Sequence, residues 1–387
     1  MHNKDNIVIF KISMMNKKTL HAPFRADIVG SFLRPQELKE SRKQFAEGKI
    51  NAEQLREVEN RLITDLVKKE KAHGIHAFTD GEYRRSYWHL DFMWGLTNVE
   101  RIELEHGYQF HGEETTKGSI KLTGKISGEN HPFVEDYLFV KQFEEDGFVA
   151  RQTIPAPAQF LAELFRGDNT KNTRQYYPED EDLIHDIANA YRQVIHQLYE
   201  AGCRNIQFDD CTWGMIVDSD YWNAKMKEGT TLEQEAGKYL RVNNLALEDK
   251  PVDLVINTHI CRGNYHSCYA CSGAYDPVAP YVFAQEKVDA FYLEYDDQRS
   301  GGFEPLRLIP QDKKVVLGLI TTKSSRLEDK SFIKDRIQKA SQYFPLERLY
   351  LSPQCGFASC EIGNKLTEAE QWAKVDLVQQ IAQEVWR

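Results

Sequence analysis

Short apolar, β-prone runs alternate with longer segments of helical periodicity along almost the whole chain, which is the pattern of βα units around a parallel sheet. From residue 26 onward eight such runs can be counted, at 28–30, 76–78, 151–154, 205–208, 254–257, 290–293, 314–317 and 348–351. Between them, segments 52–72, 182–201, 231–247, 327–343 and 367–385 carry apolar residues three and four apart. Eight strands with intervening helices in 387 residues predict a (β/α)8 TIM barrel. The stretch 98–147 breaks the repeat. Its alternation, as in Ser119-Ile120-Lys121-Leu122-Thr123, predicts a β-rich insertion after the second strand. Residues 1–20 are polar with no clear period and read as a frayed extension, leaving one catalytic domain over 21–387. A doubly wound open sheet is the alternative. It gains no support from a Gly-x-Gly-x-x-Gly or a Gly-x-x-x-x-Gly-Lys-Ser/Thr motif, neither of which is found at a strand end.

Charge and cysteine usage narrow the function. With 49 Lys+Arg against 59 Asp+Glu the net charge is −10, and no basic run is long enough to follow a phosphate backbone, so nucleic acid is not expected as a partner. No apolar run approaches the ~20 residues that cross a bilayer; the best N-terminal stretch, Ile7 to Phe10, is interrupted by Lys11. The order of features in a secretory signal is also missing, and the expected location is the cytoplasm. Seven cysteines, an odd number, fit a disulfide framework poorly; in a reducing compartment clustered cysteines serve more often as metal ligands or nucleophiles.

A barrel places its chemistry at the C-terminal ends of its strands. Metal-capable and acidic residues collect there: Ser31 after the first run, Asp80 and Glu82 after the second, Asp209 and Asp210 after the fourth, His259 and Cys261 after the fifth, Glu294 after the sixth and Cys355 after the eighth. Alternation in Thr258-His259-Ile260-Cys261 puts the imidazole and the thiol on one face. With Cys355 and Glu294 they make a set of two sulfurs, one nitrogen and one oxygen, which suits Zn²⁺ better than Mg²⁺ or Ca²⁺. Each residue also has an ordinary explanation. A His-x-Cys is commonly a buried pair, Glu294 can be a rim partner of Arg299, and Cys355 can be a small buried hydrophobe. Ser31, Glu82 and Asp209 can be plain turn, acidic-cluster and solvated residues. A competing arrangement is a local zinc knuckle of Cys261, Cys268 and Cys271 with His259 or His266, which would make the metal structural. Carboxylates on the rim would suit the ammonium of an amino-acid substrate, and the aromatic run Tyr83, Tyr87, Trp88, Phe92 and Trp94 can wall a pocket or fill a core.

Six segments together, Ile28-Val29-Gly30-Ser31-Phe32, Asp80-Gly81-Glu82, Ile206 to Asp210, Thr258 to Cys261, Leu293-Glu294 with Arg299-Ser300, and Pro353-Gln354-Cys355-Gly356, resemble in kind and order the catalytic half of cobalamin-independent methionine synthase and its shorter relatives. The resemblance implies a zinc-dependent S-methyltransferase. Zinc would be held by His259, Cys261, Glu294 and Cys355, and homocysteine gripped by Ser31, Glu82 and Asp209. The implied donor is methyl-tetrahydrofolate, the product methionine, and the partners small molecules. A free thiol is mostly protonated at neutral pH, whereas zinc holds it as a nucleophilic thiolate.

The chain departs from that family in three places. The full-length family has an additional N-terminal barrel, for which 387 residues leave no room. The family's histidine after the seventh strand is replaced by Gly318-Leu319-Ile320-Thr321-Thr322-Lys323, which makes Asp210 or Lys323 the candidate proton donor. The folate-contacting residues have no match between Thr123 and Leu164. Transfer from a corrinoid or another donor to a different thiol, and a non-catalytic barrel with structural zinc, are therefore the alternatives.

Overall fold

The structure, a computed structural model, describes residues 20–227 and 229–387, with the side chains of 225–227 excepted; most of the predicted N-terminal extension lies outside them. In chain order the strands are β1 (Ala77–Phe78), β2 (Thr97–Glu103), β3 (Gln109–Phe110), β4 (Glu113–Glu114), β5 (Gly118–Ser127), β6 (Val149–Ala150), β7 (Gln152–Pro155), β8 (Asn205–Asp210), β9 (Val255–Ile260), β10 (Ala290–Glu294), β11 (Lys314–Ile320) and β12 (Leu349–Pro353). Strands β7 to β12 form one parallel sheet in sequence order. At one edge β6, separated from β7 by Arg151 alone, pairs in parallel with β1. At the other, a parallel bridge joins Ala26 to Leu351 in β12. Between β1 and the segment at residue 26, Phe32 N donates to Gly81 O and Thr79 Oγ1 to Gly30 O. The sheet therefore closes into a (β/α)8 barrel.

The first predicted strand, 28–30, forms no ladder, the single bridge lying just before it at Ala26, and the reason lies in its carbonyls. Those of Ile28, Val29 and Gly30 are taken by the side chains of Arg151 (2.7 Å), Gln207 (2.7 Å) and Thr79 (2.6 Å). Side chains reaching across the lumen satisfy groups that a ladder would otherwise use.

The helices form where the sequence periodicity places them. Those at Ala52–Ala72, Leu232–Ala246 and Glu368–Val385 each begin with a reciprocal capping box, from Asn51, Thr231 and Thr367. The helix expected over 327–343 is shorter, Lys330–Ala340, because Asp329 caps it by accepting from Phe332 N. Helix Asp180–Glu200 buries an apolar face including Leu183, Ile187, Tyr191 and Leu198. The insertion after the second strand is confirmed as β-rich: β2 pairs antiparallel with β5, and β3 with β4, before helix Phe133–Lys141 returns the chain to β6. Among the described residues no helix is long and apolar enough to cross a membrane.

Candidate active site

The C-terminal ends of the strands open into a cavity of about 440 Å³. Ser31, Glu82, Asp209, His259, Cys261 and Cys355 all line it. His259 is the penultimate residue of β9, and Cys261 follows that strand directly. Cys355 stands two residues beyond β12. The ligand atoms of His259, Cys261 and Cys355 all lie within 4.8 Å of one another, and the two sulfurs are 3.6 Å apart. Two thiolates on one tetrahedral zinc, each at about 2.3 Å, stand roughly 3.8 Å apart. Neither ring nitrogen of His259 has a hydrogen-bond partner although the side chain is buried, a cost that a metal bond would remove. The three residues therefore fit zinc.

The electrostatics of the cluster fit as well. The thiols of Cys211 and Cys355 beside Cys261 hold its pKa well below the usual thiol range, against the effect of burial, with His259 adding to the lowering. Gly263 N also donates to Cys261 Sγ at 3.2 Å. Cys355 and Cys211 are pushed up in turn, first by Cys261 and then by burial. Burial works against a charged His259, but Cys261, Asp209 and Glu294 outweigh it and raise its pKa.

Glu294 lies outside the group of three. It is fully buried at the end of β10, and its carboxylate accepts from Arg262 N (3.0 Å), Arg299 (3.1 Å) and Lys323 (3.2 Å). Three donors, one from each of the loops after β9, β10 and β11, thus meet the oxygens that the sequence reading assigned to the metal. The local knuckle is not formed either. Among the described residues the only metal-capable group is His259, Cys261 and Cys355, and His266 is instead bound to Glu113 at 2.8 Å.

Neither of the two residues expected as proton donors lines the cavity. Asp210 neighbours Asp209 on β8, so alternation turns it away from the cavity. It accepts from Thr212 N (2.8 Å), Thr212 Oγ1 (2.5 Å) and Asn243 (3.0 Å), and does not line the cavity. Lys323 pairs with Glu294 at 3.2 Å and Asp296 at 3.9 Å. Burial would lower its pKa, but Glu294 and Asp296 raise it above the usual lysine value, which makes it a poor acid at neutral pH.

The acidic residues Glu82 and Asp209 are positioned by buried partners. Glu82 has φ 60, a left-handed backbone uncommon outside glycine, and follows Gly81 at φ 64. Asp80 holds that turn by accepting from Glu82 N at 2.8 Å, and Arg34 donates to Glu82 O (2.7 Å) and Ala358 O (2.7 Å), tying together the loops after β1 and β12. Glu82 Oε1 accepts from Arg85 (3.1 Å) and Thr153 (3.0 Å), whereas buried Oε2 has no partner. Burial raises the Glu82 pKa, with Arg85 and Arg34 opposing. Asp209 is pushed up to about 7 by burial, against His259 and with Glu82. Ser31 Oγ accepts from Ala358 N at 3.3 Å. Of the aromatic run, Tyr87 and Trp88 line the cavity, and so do Cys211 and His89, which the sequence reading did not place among the site residues. Cys211 was discoverable, since it stands two residues after Asp209 just as Cys261 stands after His259. His21 does not line the cavity.

Residues 151–383 match a family model described as the catalytic domain of cobalamin-independent synthase. The chain is 43% identical over 377 residues to YxjG of Bacillus subtilis, a protein described as uncharacterized, covering 97% of each. It is 26% identical over 337 residues to methionine synthase of Saccharolobus solfataricus, covering 85% of this chain and 86% of that one. A Listeria monocytogenes protein crystallised as a candidate vitamin-B12-independent methionine synthase superposes with a TM-score of 0.75 at 38% identity, covering 95% of this chain and all of that one.

Proposed function

The chain belongs to the cobalamin-independent synthase family, whose catalytic domain it carries, and from that premise we propose that it is a zinc-dependent S-methyltransferase that converts homocysteine to methionine. The observation that carries the reading is the convergence of His259, Cys261 and Cys355 from two distant strand ends, with an unpartnered imidazole facing two sulfurs 3.6 Å apart. When bound there, zinc supplies a Lewis acid that keeps a coordinated thiol in its thiolate form at neutral pH. Ser31, Glu82 and Asp209 are assigned to the amino acid. Glu82 offers the free Oε2 to the ammonium, Asp209 offers a second carboxylate, and Ser31 a hydroxyl to the carboxylate end. An arriving ammonium lowers the pKa of both acids, so binding itself favours their charged forms. Arg85 and Arg34 keep Glu82 in place while the ammonium is held. Glu294 is assigned a supporting role: its bond from Arg262 N, the residue after Cys261, fixes the backbone that carries the thiolate.

Methyl-tetrahydrofolate is the donor that the family resemblance implies, with corrinoid and sulfonium donors as the alternatives. All seven cysteines are free, which supports a cytoplasmic location. The test is elemental analysis of the reduced wild type beside Cys355→Ala, together with methionine formation from homocysteine. About one zinc per chain, lost in the variant, is expected. Zinc that persists undiminished in the variant removes the site, and no methionine with any of the three donor classes removes the activity.

A further inference from the structure

The wall of the cavity built by the loop after β1 and the β3–β4 hairpin is aromatic. Tyr87, Trp88 and His89 come from the first, Tyr108 and Phe110 from the second, and Tyr265 from the loop after β9. The rings meet at angles and do not stack. Around His89, Tyr87 is inclined at 83°, Tyr108 at 66° and Trp88 at 38°, with centroids 6.4, 5.8 and 4.6 Å away. His89 is 5% exposed, lines the cavity, and has no partner on either nitrogen. Burial lowers its pKa to about 3, so it adds no charge.

Among the described residues no lysine or arginine lines this cavity, whereas Glu82, Asp209, Asp218 and Asp220 do. The nearby cations are already engaged: Arg85 on Glu82, Arg299 and Lys323 on Glu294, and Arg166 on Glu163 and over the Tyr108 ring at 4.2 Å from its centroid. A donor carrying several carboxylates finds no basic partner among the described residues that line the cavity. A compact cation finds the aromatic side chains of Tyr87 and Trp88 and the carboxylates of Glu82 and Asp209 along one cavity, the combination that recognises onium groups.

We propose that this aromatic wall is the methyl-donor subsite and that the donor is a small methyl onium, a sulfonium or quaternary ammonium cation. The proposal rests on the methyltransferase reading and replaces its implied donor. In the step, the homocysteine thiolate attacks the methyl carbon, a new sulfur–carbon bond forms, and the bond from carbon to the onium centre breaks. Its electron pair goes to the departing sulfur or nitrogen, which leaves as a neutral thioether or amine. The departing group needs no proton. That agrees with a cavity from which Asp210 and Lys323 are both excluded and in which no histidine follows β11.

Calorimetry on the zinc-loaded full chain tests the subsite with choline and its neutral isostere 3,3-dimethylbutan-1-ol. Choline is expected to bind at least about tenfold more tightly. Trp88→Ala should erase the difference, and Trp88→Phe should restore part of it. S-methylmethionine should support methionine formation from homocysteine and be inhibited competitively by choline. Equal binding of choline and its isostere to the wild type overturns the proposal, as does turnover with methyl-tetrahydrofolate but not with S-methylmethionine. Homocysteine binding, followed separately by calorimetry, is the readout for the underlying reading: its loss with the choline preference intact removes the acceptor assignment and leaves the onium subsite standing.

Discussion

At the scale of single residues the site depends on close contacts that leave no room for substitution. A Cβ on Gly356 would lie 1.9 Å from Ser31 Oγ and 3.1 Å from Ser31 N, both atoms of a buried turn. Gly356→Ala should therefore displace Ser31, destabilise the fold by about 1–3 kcal/mol and raise KM for homocysteine more than it lowers kcat. Urea denaturation and steady-state kinetics check this, and an unchanged KM would show that Ser31 does not meet the substrate. Glu294 permits a sharper distinction. Because its oxygens are held by Arg262 N, Arg299 and Lys323, Glu294→Gln should keep most of its zinc where Cys355→Ala loses it. Elemental analysis of the two variants side by side decides the matter, and equal loss would return Glu294 to the ligand set. These residues also show what a sequence exposes. Strand alternation locates His259 and Cys261, and the shared height of strand ends adds Cys355. Alternation equally excludes Asp210 once β8 is known to run through both aspartates. The capture of Glu294 by loop cations cannot be read that way, because Arg299 and Lys323 reach it through tertiary folding.

Among the elements, the β3–β4 hairpin and β8 carry separate consequences. The hairpin is latched through Glu113 to the loops after β9 and β12, by His266 and Lys365, each at 2.8 Å. His111 N also donates to Tyr269 O at 3.0 Å. Since Tyr108 and Phe110 on this hairpin line the cavity, Glu113→Gln should speed proteolytic cleavage within 105–116 and weaken choline binding while leaving zinc content unchanged. Cleavage at the wild-type rate would mean that the backbone contact alone holds the hairpin. Behind β8, Asn243 bridges Asp210 (3.0 Å) and buried Glu286 (3.2 Å). Burial first, and Asp210 second, raise the Glu286 pKa well above 4.5. As pH rises past the unfolded value near 4.5, the unfolded chain releases this proton and the folded chain keeps it, so this contribution to stability is full below that pH and falls above it. Glu286→Gln should accordingly gain stability relative to wild type between about pH 5 and about pH 8. Parallel denaturation curves at both pH values would contradict it. Periodicity revealed five of the helices and seven of the eight staves within a few residues, but not shorter helices such as Gln36–Ala46 and Pro157–Leu164. The first stave was predicted at 28–30 but forms no ladder there, because its carbonyls bond to Arg151, Gln207 and Thr79, partners more than forty positions away.

For the molecule as a whole, the question is what holds a barrel shut when one stave contributes a single bridge. Part of the answer is a buried polar cluster in the lumen. Arg151, from the junction of β6 and β7, pairs with Asp27 at 3.0 Å, and Tyr292 of β10 donates to the other Asp27 oxygen at 3.0 Å. Arg151 also donates to Tyr292 Oη (3.0 Å) and to Ile28 O (2.7 Å). The cluster links the first, third and sixth staves beside the small apolar layer of Tyr292, Val316 and Tyr350. Arg151 is 2% exposed and Asp27 3%, so breaking the pair leaves a buried charge without a counterion. Asp27→Ala should cost about 3–5 kcal/mol, far more than an exposed ion pair. An apolar replacement of both partners, Asp27→Leu with Arg151→Met, should recover much of that loss in urea denaturation, because the desolvation cost disappears with the charges. The closure bond to Ile28 O is lost in the double variant, however, and the first stave carries Ser31 at its end. The double variant should thus regain stability without regaining the wild-type KM for homocysteine. Recovery of both together would mean that the lumen cluster stabilises the barrel without positioning its rim.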